Sequence, residues 1–429
     1  MKLKPLIYSL SPLFIFSIAY ADATPSIEIL QNQINALQSQ INALQTENTA
    51  SSMIMSDASN PFSAMSDTLF PLGVMQAKPS FTAPLILGGE LEMDIQTWGG
   101  SFSTRIDRTT TYQDGSDIAV PTADLNALAN LGTWVSVYLS IEGGAAPATT
   151  SIGQAFMLFG NLQNNPFFLT AGQTYLPFGV FNGNGPYANN LDTNAFRASN
   201  TNQVTLNYSQ GNFYTNLAGL ENKDDRSNLD DFSYTISYTT SGNFNYSVGA
   251  GYLYDVRGLG SEVGESYPNN NANEGDPNPT NPGNTIRGDR NAVYDLNALV
   301  AYGVYGLNAE ANLTQTGAES LNGQATGQMS AWNLAGTYSP TLWNIPTTFT
   351  LSYSATHNMQ DISFPLNGMA NNPQETQMGD HDSGMAHQWL IAMSNEFVTN
   401  VYMSPEFAYA TLYNGTNTWS LTYDITANL

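Results

Sequence analysis

Near residue 90, Glu90, Glu92 and Asp94 alternate with Leu91, Met93 and Ile95. Successive side chains of an extended chain point to opposite faces, so this spacing collects the acids on one face and the aliphatics on the other. The end of the chain repeats the arrangement. Trp419, Leu421, Tyr423, Ile425, Ala427 and Leu429 alternate with Ser420, Thr422, Asp424, Thr426 and Asn428. Carboxylates set along a water-filled wall do electrostatic work: they favour cations and oppose anions. The same parity, applied to other extended segments, turns Glu142, Asp295, Glu310 and Glu396 to the wet side, and no Lys or Arg joins them at an inward strand position. The plainer alternative is that these acids only solvate a polar wall.

Catalytic and metal chemistry find less support. The three histidines are His357, His381 and His387. Asp380-His381-Asp382 offers ligand types, but no further His clusters with it and the chain has no cysteine, so it reads as solvated loop. A barrel hydrolase needs a Ser/His pair with an orienting group, and a lone His near a rim does not make one. We expect no enzyme, no metal and no cofactor.

The elements that must position the carboxylates follow from composition. The chain has 429 residues, with 11 Lys and Arg against 35 Asp and Glu. That balance argues against a nucleic-acid partner. After the N-terminus, no run approaches the ~20 apolar residues of a spanning helix. Only helices and closed barrels satisfy their backbone in lipid, and the 23 Tyr and 20 Phe favour a barrel.

Residues 1–21 read as a signal peptide: Lys2 and Lys4, an apolar run from Leu6 to Ile18, then Ala19-Tyr20-Ala21 before the cut. Residues 22–48 follow as a periplasmic coiled coil. Its seam is Ile27, Leu30, Ile34, Leu37, Ile41 and Leu44, with the heptad QxQINAL twice in succession. Ile at a and Leu at d favour a parallel homo-oligomer, a dimer or a trimer. Three heptads span only ~30 Å, so the barrels must help hold the assembly. Residues 49–84 are a linker, too short for a large globular plug.

From 85 to 429 the period is two. It predicts an all-β transmembrane barrel of about sixteen antiparallel strands, near 85–98, 122–130, 134–143, 151–160, 166–175, 203–209, 212–221, 231–239, 243–254, 291–302, 306–316, 327–338, 346–357, 386–397, 400–413 and 417–429. Long connections alternate with short ones without a fault, which places both ends in the periplasm. The barrel would sit in the outer membrane of a Gram-negative bacterium, in contact with its lipid, and be inserted by the barrel-assembly machinery. Sixteen strands enclose an aqueous lumen. The third long loop, 176–202, is the candidate constriction, with Pro177, Phe178, Gly179, Asp192 and Arg197.

The QxQINAL coiled coil, the strand count and the segment Thr170-Ala171-Gly172-Gln173-Thr174-Tyr175-Leu176-Pro177-Phe178-Gly179 resemble the legiobactin-receptor family of siderophore porins. The resemblance implies plug-less uptake of an iron–siderophore complex. The residues themselves leave three readings: a porin for that chelate or another small solute, a general cation-selective porin, and a structural or surface-interaction barrel.

Overall fold

The computed structural model describes residues 67–428, apart from 82, 101–103, 108–109, 113, 146–147, 182–189, 199, 222–228, 230, 241, 243, 260, 262, 265–289, 320–324, 361 and 363–383. The expected signal peptide, the coiled-coil seam, His381 with its flanking acids, and Leu429 lie outside the described residues.

Alternation of apolar and polar residues drives nearly every described segment from 85 onward into strands: β1 (Leu85–Gly100), β2 (Thr104–Asp107), β3 (Thr110–Tyr112), β4 (Gly115–Ala119), β5 (Ala123–Asn130), β6 (Val135–Ala145), β7 (Ala148–Gly160), β8 (Phe167–Tyr175), β9 (Asn200–Gln210), β10 (Phe213–Leu220), β11 (Asp231–Thr239), β12 (Phe244–Leu253), β13 (Val293–Tyr302), β14 (Tyr305–Glu319), β15 (Ala325–Tyr338), β16 (Thr341–Leu342), β17 (Ile345–His357), β18 (Met385–Val398), β19 (Val401–Leu412) and β20 (Asn417–Asn428). The described residues also form two α-helices, α1 (Phe70–Ala77) before the first strand and α2 (Leu191–Phe196) between β8 and β9.

The wall has sixteen positions and is closed. β2 and β3 form a separate hairpin in the first long connection. β4 and β5 share the second position, both pairing with β1. Pro121 lies in the gap between them, where a residue with no N–H cannot extend a ladder. β16 is a two-residue stub at the turn before β17. Closure comes from β1 against β20, in a register running from Glu90 opposite Asn428 to Gly100 opposite Thr418. The expected sixteen strands thus match in number and, within a few residues, in extent.

The outer face is apolar. Leu87, Leu125, Ile152, Leu206, Leu296 and Leu351 are all exposed, while their strand neighbours on the other face are polar and mostly buried. Two aromatic bands border this surface. Phe167, Tyr238, Phe244, Tyr302, Tyr305 and Tyr338 lie toward the short turns, and Phe232, Tyr294, Trp332, Trp389, Tyr409 and Trp419 toward the long loops. On β13, Tyr294 and Tyr302 are eight residues apart, about 20 Å along the axis of a tilted barrel. That separation is comparable to an apolar membrane band and its girdles. Along β1, β4, β5 and β6 the exposed large residues are instead aliphatic: Leu85, Leu87, Leu91, Ile95, Ile118, Leu125 and Leu139. Among the described residues of those four strands no exposed aromatic occurs, and Trp134, in the turn one residue before β6, is exposed.

Residues 67–80, expected as the end of a linker, are ordered into helical turns. Phe70, Leu72, Val74 and Met75 of α1 are buried against Leu128, Tyr138, Phe156, Leu158, Phe168 and Tyr214. These partners occupy the inward positions of β5, β6, β7, β8 and β10, opposite exposed neighbours such as Leu125, Leu139, Met157 and Phe167. The helix is therefore inside the barrel. Each of its buried apolar side chains contributes about 1.5–3 kcal/mol to that packing.

Candidate functional site

The sequence-predicted acids occupy the inner face, and strand register decides which of them meet. On β1, Asp94 is fully buried and stands directly opposite Asp424 of β20. Carboxylate oxygens of Glu92, Asp94 and Asp424 all lie within 4.8 Å of one another. Glu92 accepts from Thr122 Oγ1 at 2.5 Å, and Asp424 from Thr426 Oγ1 at 3.0 Å. One level nearer the short turns, Glu90 faces Asp124 of β5, which in turn faces Glu142 of β6. Adjacent strands are ~4.8 Å apart, so three carboxyl groups form a transverse row. Glu142 accepts from Ser140 Oγ at 3.3 Å.

Asp124, Asp231 and the buried Glu406 belong to the same inner face, and the sequence reading passed over them. The signal was present. Asp124 alternates with Leu125, and Glu406 with Phe407, just as Glu90 does with Leu91. Glu396 stands apart, half-buried at a turn where it accepts the Asn400 N–H at 3.2 Å.

Glu310, expected as a selectivity residue, is buried and engages the third long loop. Its two carboxylate oxygens accept the N–H groups of Val180 at 2.7 Å and Phe181 at 2.5 Å. Gly179 and Phe181 both have positive φ, 71° and 51°, and this reversal aims successive N–H groups at one anion, as in a backbone nest. At position 179 a Cβ would lie 2.5 Å from the Phe181 ring, so glycine serves there both for its φ and for the space.

The described parts of the loop touch well-separated strands of the barrel. Pro177 C=O accepts from Thr235 Oγ1 of β11 at 2.5 Å, and Phe178 is fully buried. At the far side, Asn190 caps α2 by accepting the Thr193 N–H at 2.9 Å, and the Leu191 N–H donates to Ser354 Oγ of β17 at 3.1 Å. Asp192 accepts from Asn312 Nδ2 of β14 at 3.1 and 3.2 Å. Burial pushes the Asp192 carboxyl well above the usual carboxylate range; the Asn312 hydrogen bonds pull it back, and the charge of Asp295 pushes it further up. Asp295, buried on β13, accepts from Asn297 Nδ2 at 2.7 Å. Arg197 lies 5.0 Å over the Tyr175 ring.

The loop meets the helical turn just before α1: Thr68 Oγ1 donates to Gly179 C=O at 3.0 Å. Lys78, just after α1, is buried, and its ammonium has no hydrogen-bond partner among the described residues. It brings a cation that inspection of strand positions alone could not find. The remaining histidines are exposed; His387 Nδ1 lies 3.0 Å from Tyr353 OH and pairs with no serine.

A family model described as a protein of unknown function, DUF3573, matches residues 54–280. No curated protein matches the chain. Among solved structures the chain is similar to the outer membrane channel DcaP of Acinetobacter baumannii, at 14% identity and TM-score 0.49, covering 80% of this chain and 97% of that one. It is also similar to an anion-selective porin from Comamonas acidovorans, at 10% identity and TM-score 0.48, covering 80% and 99%. A trimer form of OmpT from Vibrio cholerae matches at 10% identity and TM-score 0.46, covering 80% and 98%.

Proposed function

The chain belongs to the DUF3573 family, described as proteins of unknown function, and we propose that it is an outer-membrane porin for passive diffusion of small hydrophilic solutes, cations ahead of anions. One observation carries this reading: a closed wall of sixteen strands presents an apolar surface outside and a polar face rich in carboxylates inside. Such a wall satisfies its backbone in lipid and surrounds a lumen wider than its own side chains can fill. Inserted segments at 176–181, 190–196 and 67–80 then narrow that lumen, which favours a selective channel over a wide general one. Planar-bilayer recording tests the proposal. Ohmic single-channel steps with a cation-positive reversal potential in a potassium chloride gradient are expected. A purified, folded barrel that gives no conductance would return the molecule to the structural reading.

The finer assignment, uptake of an iron–siderophore complex, is supported by the sequence resemblance to siderophore porins. Buried Lys78 and half-buried Arg197 would supply the positive charge that an anionic chelate needs inside an acidic lumen. Its test is competition: ferric chelates should reduce the potassium current at micromolar concentration, and the iron-free ligands should not.

The aliphatic sector of β1, β4, β5 and β6 fits a homo-oligomer. Aromatic girdles mark contact with lipid headgroups, and the described parts of these strands carry no exposed aromatic, Trp134 in the turn before β6 marking the sector's edge, which suits protein contact along the strands.

A further inference from the structure

We propose that residues 67–80 are a displaceable stopper, seated on an apolar patch built into the inner wall for that purpose. Inward positions of a water-filled barrel are polar, and most here are Ser, Thr, Asn, Asp or Glu. In one sector they are Leu128, Tyr138, Phe156, Leu158, Phe168 and Tyr214. Left bare, that patch would expose aromatic surface to water with no gain.

Its occupant is on the same chain. The Phe70 ring lies 4.7 Å from Tyr138 and 6.1 Å from Phe156, and Val74 and Met75 are almost wholly buried beside them. At Gly160, an inward position of β7, a Cβ would lie 2.5 Å from Phe168 Cβ on the neighbouring strand and 3.2 Å from Met75 Cε, so the glycine serves the wall first and the seat of the helix second.

The joint is also of a kind that can open. What α1 seats on the wall is apolar side-chain packing through Phe70, Leu72, Val74 and Met75, and Thr68 just before it donates to Gly179 C=O of the constriction loop. The segment leads into Leu85, the first residue of the wall, so release would swing it about that fixed point without losing it. Seated, it obstructs the β5–β10 side of the lumen while the constriction loop touches β17.

This proposal rests on the pore reading, and the two can fail separately. The chain has no cysteine, so Phe70→Cys with Tyr138→Cys gives one unique pair, to be joined by a short cleavable bis-maleimide linker. Linked channels should stay in the low-conductance state, and cleavage should restore wild-type behaviour. In the opposite direction, Phe70→Ser, Leu72→Ser and Val74→Ser together should raise mean conductance about two-fold or more while the barrel keeps its heat-modifiable mobility. If the triple variant does not fold, the linked pair still decides. Equal conductance in linked, cleaved and wild-type channels would overturn the stopper and leave the pore intact. Current from none of them would overturn both.

Discussion

Asp94 and Asp424 stand directly opposite each other across the seam that closes the barrel, with the Glu92 carboxylate within 4.8 Å of both. Strands at the two ends of the sequence thus place three acids at one point of the wall. Water and counterions screen such charges over ~8 Å at physiological salt, which lets the wall fold while its field still reaches ions in a channel of similar radius. Changing Glu90, Glu92, Asp94 and Asp424 together to their amides should lower the potassium-to-chloride permeability ratio about two-fold or more, with the largest effect at low salt. Reversal potentials measure this. An unchanged ratio would assign selectivity to the inserted loop.

Glu310 is expected to act through the loop and not through the ion. Glu310→Ala removes the acceptor for the Val180 and Phe181 N–H groups, at a cost of about 1–3 kcal/mol to the docked loop. Hydrogen exchange at residues 178–181 should accelerate while the neighbouring strand β8 stays protected. Unchanged exchange would show that packing of Phe178 alone holds the loop.

Acid should strengthen one contact of that loop. The Asp192 carboxyl is held above its ordinary value mainly by burial, so the docked loop binds its proton more tightly than the free loop does. The contribution to docking is fully present below the ordinary carboxylate pKa of ~3.9 and is lost as pH rises through the raised value. Proteolysis within 176–196 should therefore be slower at pH 5 than at pH 8. In Asp192→Asn, which keeps an acceptor for Asn312, that difference should shrink. An equal pH dependence in both proteins would move the effect to Asp295 or Glu310.

The aliphatic sector makes a separate prediction about assembly. Ala127 lies on the outer face of β5, two residues from the exposed Leu125. Lipid gives way to a bulky apolar side chain, whereas a packed protein interface does not. Ala127→Trp should lower the oligomer mass in mild detergent, and Leu351→Trp on β17 should not. Full-size oligomers of Ala127→Trp would place the interface elsewhere.

The sequence by itself determined the wall. Period-two alternation is a property of a few neighbouring residues, so it reported strand positions, the inward parity of Glu90, Glu92, Asp94 and Asp424, and even that the last strand must lie beside the first. Asp124 and Glu406 were legible by the same parity. A weaker signal also stood in β7 and β8, where Phe156, Leu158 and Phe168 break the alternation and make both faces apolar; it pointed to something packed inside without naming it. Tertiary structure alone decided that α1 fills that patch, that Glu310 serves the loop at Val180 and Phe181, and that Asp94 meets Asp424 and not a residue two places along. The physical reason is separation along the chain. Phe181 and Glu310 are linked by a hydrogen bond across 129 positions, and Asp94 and Asp424 meet only once closure sets the register. Local periodicity says which face a side chain takes, but a partner that far away is chosen only when the whole sheet has curled shut.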